Sequence, residues 1–180
     1  MVFYKSFRWT QVLPWNWRTS QPSEINFDEL ARACKRLSQT HTGATIVLAR
    51  SSELKFFAST GIAIEGELTA KLFETIFMNK SPLHDGAVIV VKNRIKAASC
   101  ILPVSENPNL PFEFGLRHRS ALGISEQTDA IAVVCSEETG RITLASKGDY
   151  SEDLSLHTNL ARRLFEEYYE LPQKTRMPVA

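Results

Sequence analysis

Long apolar runs are missing from these 180 residues: none approaches the roughly 20 needed to cross a bilayer, and the start lacks the apolar core of a signal peptide. Both absences predict a soluble, cytoplasmic chain. Excess charge of one sign is missing too, since 21 Lys and Arg face 20 Asp and Glu for a net +1. There is no global field to gather nucleic acid or anionic membrane, so no nucleic-acid partner is expected and any anion must be held locally. Cysteine is scarce and odd in number: Cys34, Cys100 and Cys135 lie far apart in apolar stretches without a CxxC spacing. That excludes a disulfide scaffold or a cysteine metal site and predicts free core thiols in a reducing compartment. Internal repeats and low-complexity segments are also absent, which excludes solenoids and disordered tracts.

What remains is an ordinary globular composition, 43% apolar and 23% charged, at a length suited to one domain. We divide the chain into an N-terminal arm and linker over 1–25, a domain over 26–171 and a flexible tail over 172–180. The arm holds Phe3, Tyr4, Phe7, Trp9, Trp15 and Trp17, interleaved with Lys5 and Arg8. Such a segment packs against its own domain or a second subunit; the alternative is contact with a membrane surface or a partner's groove.

Asn26 caps a predicted helix over 27–38, with Glu29 three residues on and Phe27, Leu30, Cys34 and Leu37 at helical spacing. Ala44 to Arg50 and Leu54 to Ser59 read as a hairpin around Ser51-Ser52-Glu53. Leu68, Leu72, Phe73, Ile76 and Phe77 trace one helix face, ended by Asn79 to Pro82. Ala87 to Val91 and Arg94 to Val104 form a second predicted hairpin around Lys92-Asn93, followed by a loop over 105–114. Arg117 to Ile124 reads as a short helix, Ala130 to Ser136 and Arg141 to Ser146 as strands joined by a turn at Glu137 to Gly140, and Leu154 to Tyr169 as a closing amphipathic helix. Hairpins alternating with helices predict an α/β fold, a single domain whose mixed central β-sheet is flanked by helices.

Two segments carry chemistry. Asp85-Gly86 stands between a helix exit and an apolar strand, where a carboxylate at a strand edge can hold a cation and Gly86 lets a ligand approach the backbone. Asp-Gly is also a common turn dipeptide. His84 is a candidate metal ligand or hydrogen-bond donor, although neighbours on an extended chain point to opposite faces. Arg117-His118-Arg119 follows Gly115 and opens a predicted helix, so forked guanidinium bonds add to the free N–H groups and dipole of a helix N-terminus. That combination suits an oligophosphate, and Ser120 adds a hydroxyl. Ser136 and Glu137 or Glu138 end a buried strand near enough to serve phosphate, metal or ribose, and Thr42-Gly43-Ala44 offers close backbone approach to a ligand.

The ordered blocks Pro82 to Ala87 (PLHDGA), Gly115 to Glu126 (GLRHRSALGISE), Thr128-Asp129-Ala130 and Ser136 to Gly140 (SEETG) resemble the catalytic domain of bacterial diadenylate cyclases over about Thr42 to Ile142. The resemblance implies condensation of two ATP into cyclic di-AMP with release of two pyrophosphates, using Mg²⁺ or Mn²⁺. It assigns catalysis to Asp85, Arg117, His118 and Arg119. It assigns ATP contacts to Gly86, Ala87, Ile101, Leu102, Leu116, Arg117, His118, Arg119, Ser120, Ser136 and Glu138, and metal binding to Asp85, with His84 as a second candidate. Ile101 stands where many members carry an aromatic residue, which weakens stacking on adenine. Many relatives also bear N-terminal transmembrane helices; here the Trp-rich arm replaces them, or the chain is a truncated form of a membrane-anchored protein.

Closing both phosphodiester bonds requires two nucleotides in mutual in-line orientation, so one site per chain implies a face-to-face homodimer, with a higher oligomer left open. Two other readings compete: a non-catalytic module that binds adenine nucleotides or a cyclic dinucleotide, and a transferase that joins AMP to another acceptor.

Overall fold

A computed structural model of the chain describes residues 25–170, apart from 53 and 152. The Trp-rich arm and the tail lie outside the described residues. Seven strands form one mixed sheet in the order β2-β4-β3-β1-β5-β6-β7. They are β1 (Ala44–Ala49), β2 (Ile62–Glu67), β3 (Ala87–Val91), β4 (Arg94–Cys100), β5 (Ile131–Cys135), β6 (Ile142–Ser146) and β7 (Asp149–Tyr150). The helices are α1 (Phe27–Gln39), α2 (Lys55–Ala58), α3 (Ala70–Phe77), α4 (Leu116–Gln127) and α5 (Leu160–Tyr168).

β1 is buried throughout and lies between β3, to which it runs parallel, and β5, to which it runs antiparallel. Its alternation divides the core. Ala44, Ile46 and Leu48 join Leu30, Cys34, Phe73 and Leu164 under α1, α3 and α5, while Val47 and Ala49 join Ala121, Leu122 and Ile124 of α4 on the opposite face. All three cysteines are free and buried. No helix among the described residues is long and apolar enough to cross a membrane.

The expected hairpin of 44–50 with 54–59 does not form. Leu54 enters α2 in a left-handed conformation (φ 52°), and Leu54, Phe57 and Ala58 turn inward at helical spacing while Phe56 is exposed. Short apolar runs are ambiguous between the two periods, and both edges of β1 are already taken. The strand that follows is β2, an edge strand with a register shift between Ala63 and Gly66. It lacks the buried alternation that marks a strand in sequence. The closing helix starts six residues later than expected, because Asp153 accepts from the N–H groups of Ile142 and Ser155 and holds the preceding segment in turns. Asn159 then caps α5, accepting from the Arg162 N–H at 3.0 Å. β4 ends at Cys100 rather than Val104. Beyond it the Ile101 N–H donates to Thr60 Oγ1 and the Ser105 N–H to the Arg119 carbonyl, which draws 101–105 off the sheet and onto α4.

Candidate active site

Asp85 is delivered by a loop organised around Ser81, whose hydroxyl accepts from the Leu83 N–H at 3.2 Å and whose carbonyl accepts from the His84 N–H at 3.3 Å. Gly86 follows at φ +92°, backed directly onto β4: a Cβ there would stand 2.8 Å from the Ser99 carbonyl carbon. Only glycine allows this turn and this approach together. The Asp85 carboxylate is left exposed at the head of β3, and no ion pair from the described residues reaches it.

Opposite, Gly115 is the N-cap of α4 and supplies no side-chain acceptor, which leaves the first-turn N–H groups without a side-chain cap. Arg117 is held by Glu137, Nη1 to Oε1 at 2.7 Å, and both side chains lie over Gly43, where a Cβ would come within 2.8 Å of each. His118 stacks flat on Phe114, 4.4 Å between centroids, with Phe114 in turn edge-on to Tyr150. The Ser120 hydroxyl donates to the Arg117 carbonyl at 3.1 Å. Ser136 Oγ accepts from the Thr139 N–H and closes the Ser-Glu-Glu-Thr-Gly turn.

These elements enclose two adjoining cavities of about 540 and 220 Å³ that share Leu116 and Arg117. Asp85, Gly86, Ala87, Ile101, Leu102 and Ser120 line the larger, and His118, Ser136, Glu137 and Glu138 the smaller. Together they give a largely apolar slot with a carboxylate at its side and, at the other end, Arg117 and the start of α4 beside Glu113, Glu137 and Glu138. A third cavity, about 480 Å³ between β6, β7 and α5, contains none of the singled-out motifs.

Two expected residues sit elsewhere. Arg119, about 200° around the helix from Arg117, donates to the Asn107 carbonyl at 3.5 Å and lines neither cavity. The His84 ring pairs with the Ser81 carbonyl at 2.5 Å and lines neither cavity; among the described residues no cluster of three metal-ligating side chains occurs. Conversely, sequence reasoning missed Thr45 and Ser99, which line the larger cavity and whose hydroxyl oxygens are buried without a hydrogen-bond partner among the described residues. Such an orphan costs roughly 1–3 kcal/mol. A Thr inside the apolar run of β1 was the available signal.

Burial is the main reason the His118 pKa is lowered; Arg117 acts in the same direction, opposed by Glu138 and Glu113. The folded ring therefore resists a proton that the unfolded chain accepts below about pH 6.5. Its contribution to stability is complete above that pH and is lost as pH falls through the lowered folded pKa. We expect His118→Phe, which keeps a ring on Phe114 but cannot titrate, to flatten the fall of melting temperature between pH 7.5 and 5.5. Parallel curves for the two proteins would show that His118 titrates as an ordinary histidine.

Residues 31–150 match the family described as DisA bacterial checkpoint controller nucleotide-binding, DAC. The chain belongs to the DAC family. It is 37% identical over 150 residues to the cyclic di-AMP synthase CdaA of Bacillus subtilis, covering 83% of this chain and 53% of that protein. It is 40% identical over 140 residues to a diadenylate cyclase of Listeria monocytogenes, covering 76% and 51% respectively. This DAC chain thus spans about half the length of these curated relatives. The fold matches the crystal structure of DacA from Staphylococcus aureus with a TM-score of 0.74 at 34% identity, over 79% of this chain and 94% of that one. The mixed sheet flanked by helices is therefore the DAC architecture, and the two adjoining cavities lie inside the family match.

Proposed function

We propose that this chain is a diadenylate cyclase that condenses two ATP into cyclic di-AMP, releasing two pyrophosphates, at a face-to-face homodimer. One observation carries the reading: a single cleft lined at one side by the free Asp85 carboxylate and at the other by Arg117 and an uncapped helix N-terminus. The smaller cavity takes the triphosphate, with Arg117 and His118 beside it and the N–H groups of α4 facing it. The larger takes adenosine between Leu102, Ile101 and Ala87. Ile101 presents an aliphatic face to the base in place of a ring.

Asp85 fits a divalent cation, Mg²⁺ or Mn²⁺, because one exposed carboxylate supplemented by substrate phosphate oxygens is a usual donor set for Mg²⁺. When bound, such an ion stabilises the charge developing on the ribose 3′-oxygen and the α-phosphate. Arg117 then holds the departing pyrophosphate. Arg119 acts at one remove, bracing the 105–114 loop against α4.

Each chain supplies one nucleotide, so a second copy must present its α-phosphate to the first copy's 3′-hydroxyl. The rim of the cleft carries Ile101 and Leu116, 70% and 76% exposed, an apolar surface for that copy to cover. The test is incubation of the purified chain with ATP and Mn²⁺ or Mg²⁺ and identification of products by mass spectrometry. Cyclic di-AMP with pyrophosphate is expected; bound but unchanged ATP would mark a binding module, and an AMP adduct a different transferase. Specific activity should also fall on dilution, about tenfold per tenfold dilution below the dimer dissociation constant. Dilution-independent activity would rule out the dimer requirement.

A further inference from the structure

Neither ring nitrogen of His118 has a hydrogen bond among the described residues. A histidine that acts on a substrate is ordinarily aimed by such a bond, with its second nitrogen held by a carbonyl or a carboxylate. Without one, the terminal torsion of the side chain is broad and the ring can swing. Here an aromatic ring takes that place. Phe114 lies flat against the imidazole, 4.4 Å between centroids with the planes 16° apart, and Tyr150 of β7 meets Phe114 edge-on at 4.9 Å and 67°. A stack of this kind fixes the plane of the imidazole and leaves its edge, which carries both nitrogens, free to bond.

The cavities show which way that edge can act. His118 lines the smaller site cavity and also a further one of about 230 Å³ behind it. Phe114 and Tyr150 line the cavity behind and neither of the two that form the cleft. The imidazole is therefore a partition, with its aromatic support on the far side from the cleft. The same contact could serve the fold alone, because Phe114 precedes the N-cap Gly115 and His118 is the third residue of α4, so the pair spans the helix entry much as a hydrophobic staple does.

We infer that Phe114, backed by Tyr150, is the positioning residue for His118, holding the imidazole so that one ring nitrogen meets a phosphate oxygen in the smaller cavity. This rests on the ATP site proposed above. The charged groups around the ring are Arg117 beside it on α4, Glu138 from the turn after β5 and Glu113 from the loop before α4, with Arg141 and Asp153 across the cavity behind. Against them the stack keeps water off the ring, in keeping with a pKa lowered chiefly by burial.

The test is a double-mutant cycle. Phe114→Leu keeps an apolar side chain at the helix entry but cannot stack, and should lower kcat for cyclic di-AMP formation roughly 5- to 20-fold, while Phe114→Tyr, which keeps the ring, should stay within about twofold of the wild type. In a His118→Ala background Phe114→Leu should cost no more than about twofold, since no imidazole is left to aim. A phenylalanine that serves only the fold would cost the same factor in both backgrounds. A second readout needs no turnover: by NMR of the ligand-free protein, the His118 ring should titrate closer to an ordinary histidine in Phe114→Leu and as in the wild type in Phe114→Tyr. Tyr150→Ala, at a position 39% exposed, removes the backing alone and should shift rate and titration in the same directions by a smaller amount, which keeps the test open should Phe114→Leu not fold. Equal losses in both backgrounds, or a His118 titration unmoved by loss of either ring, overturn the assignment. A wild type that binds ATP yet forms no cyclic di-AMP counts against the proposed activity, and the His118 titration then decides the positioning.

Discussion

Replacing Asp85 by Asn should lower the rate of cyclic di-AMP formation by roughly 10²- to 10³-fold and move the melting temperature by no more than about 2 °C. The two halves of that expectation come from different observations. The loop that carries Asp85 is held by Ser81 and by the positive φ of Gly86, not by the carboxylate. No ion pair from the described residues reaches it, and it stands exposed at the head of a buried strand. Removing its charge therefore removes the proposed cation ligand and little else. Asparagine keeps the shape but binds a hard divalent ion far less well than a carboxylate. Initial rates by product mass spectrometry, with a thermal melt of each protein, check both halves. An unchanged rate would remove Asp85 from the chemistry, and a collapsed melting temperature would make it a structural residue.

What the sequence revealed of this molecule follows the range over which each signal acts. The first helix was legible because its cap is local: Asn26 accepts from the Glu29 N–H at 3.1 Å, and the apolar spacing after it is regular. The hairpin of β3 and β4 was legible because a wholly buried run meets a polar two-residue turn. Leu54 to Ala58 misled because four residues of apolar character cannot distinguish a turn of helix from a strand, and only the occupied edges of β1 decide. The same limit applies within the site. Asp85 and Arg117 were visible as motif residues, but adjacent helical positions are about 100° apart, so a contiguous Arg-His-Arg triplet could not share one face. Arg119 turns to the loop, and His118 is drawn under Phe114. Thr45 has no motif around it, and Gly43, read from the sequence as a point of backbone approach to a ligand, lies beneath the Arg117 and Glu137 side chains. Their roles depend on Arg117 and the cavity crossing over β1, which pairing distant in sequence creates.

Arg117→Ala should lower kcat/KM by roughly 10²- to 10³-fold, and adding Glu137→Gln should restore part of it, roughly 5- to 10-fold. The reason is the ion pair itself. Glu137 Oε1 lies 2.7 Å from Arg117 Nη1 and lines the same small cavity. With arginine present, its charge is compensated and the guanidinium is steered over Gly43. Without arginine, an uncompensated carboxylate would face the triphosphate proposed to bind there and add repulsion to the loss of the donor. Glu137 is 57% exposed, which screens this repulsion and keeps the rescue small. Glu137→Gln alone should change kcat/KM by no more than about threefold, since it loosens Arg117 but removes a competitor for it. Rates for the four proteins, each checked for folding by circular dichroism, give the coupling directly. A double variant no better than Arg117→Ala would mean that Glu137 does not face the phosphates. A single Glu137→Gln as damaging as Arg117→Ala would mean instead that the carboxylate acts on the substrate itself.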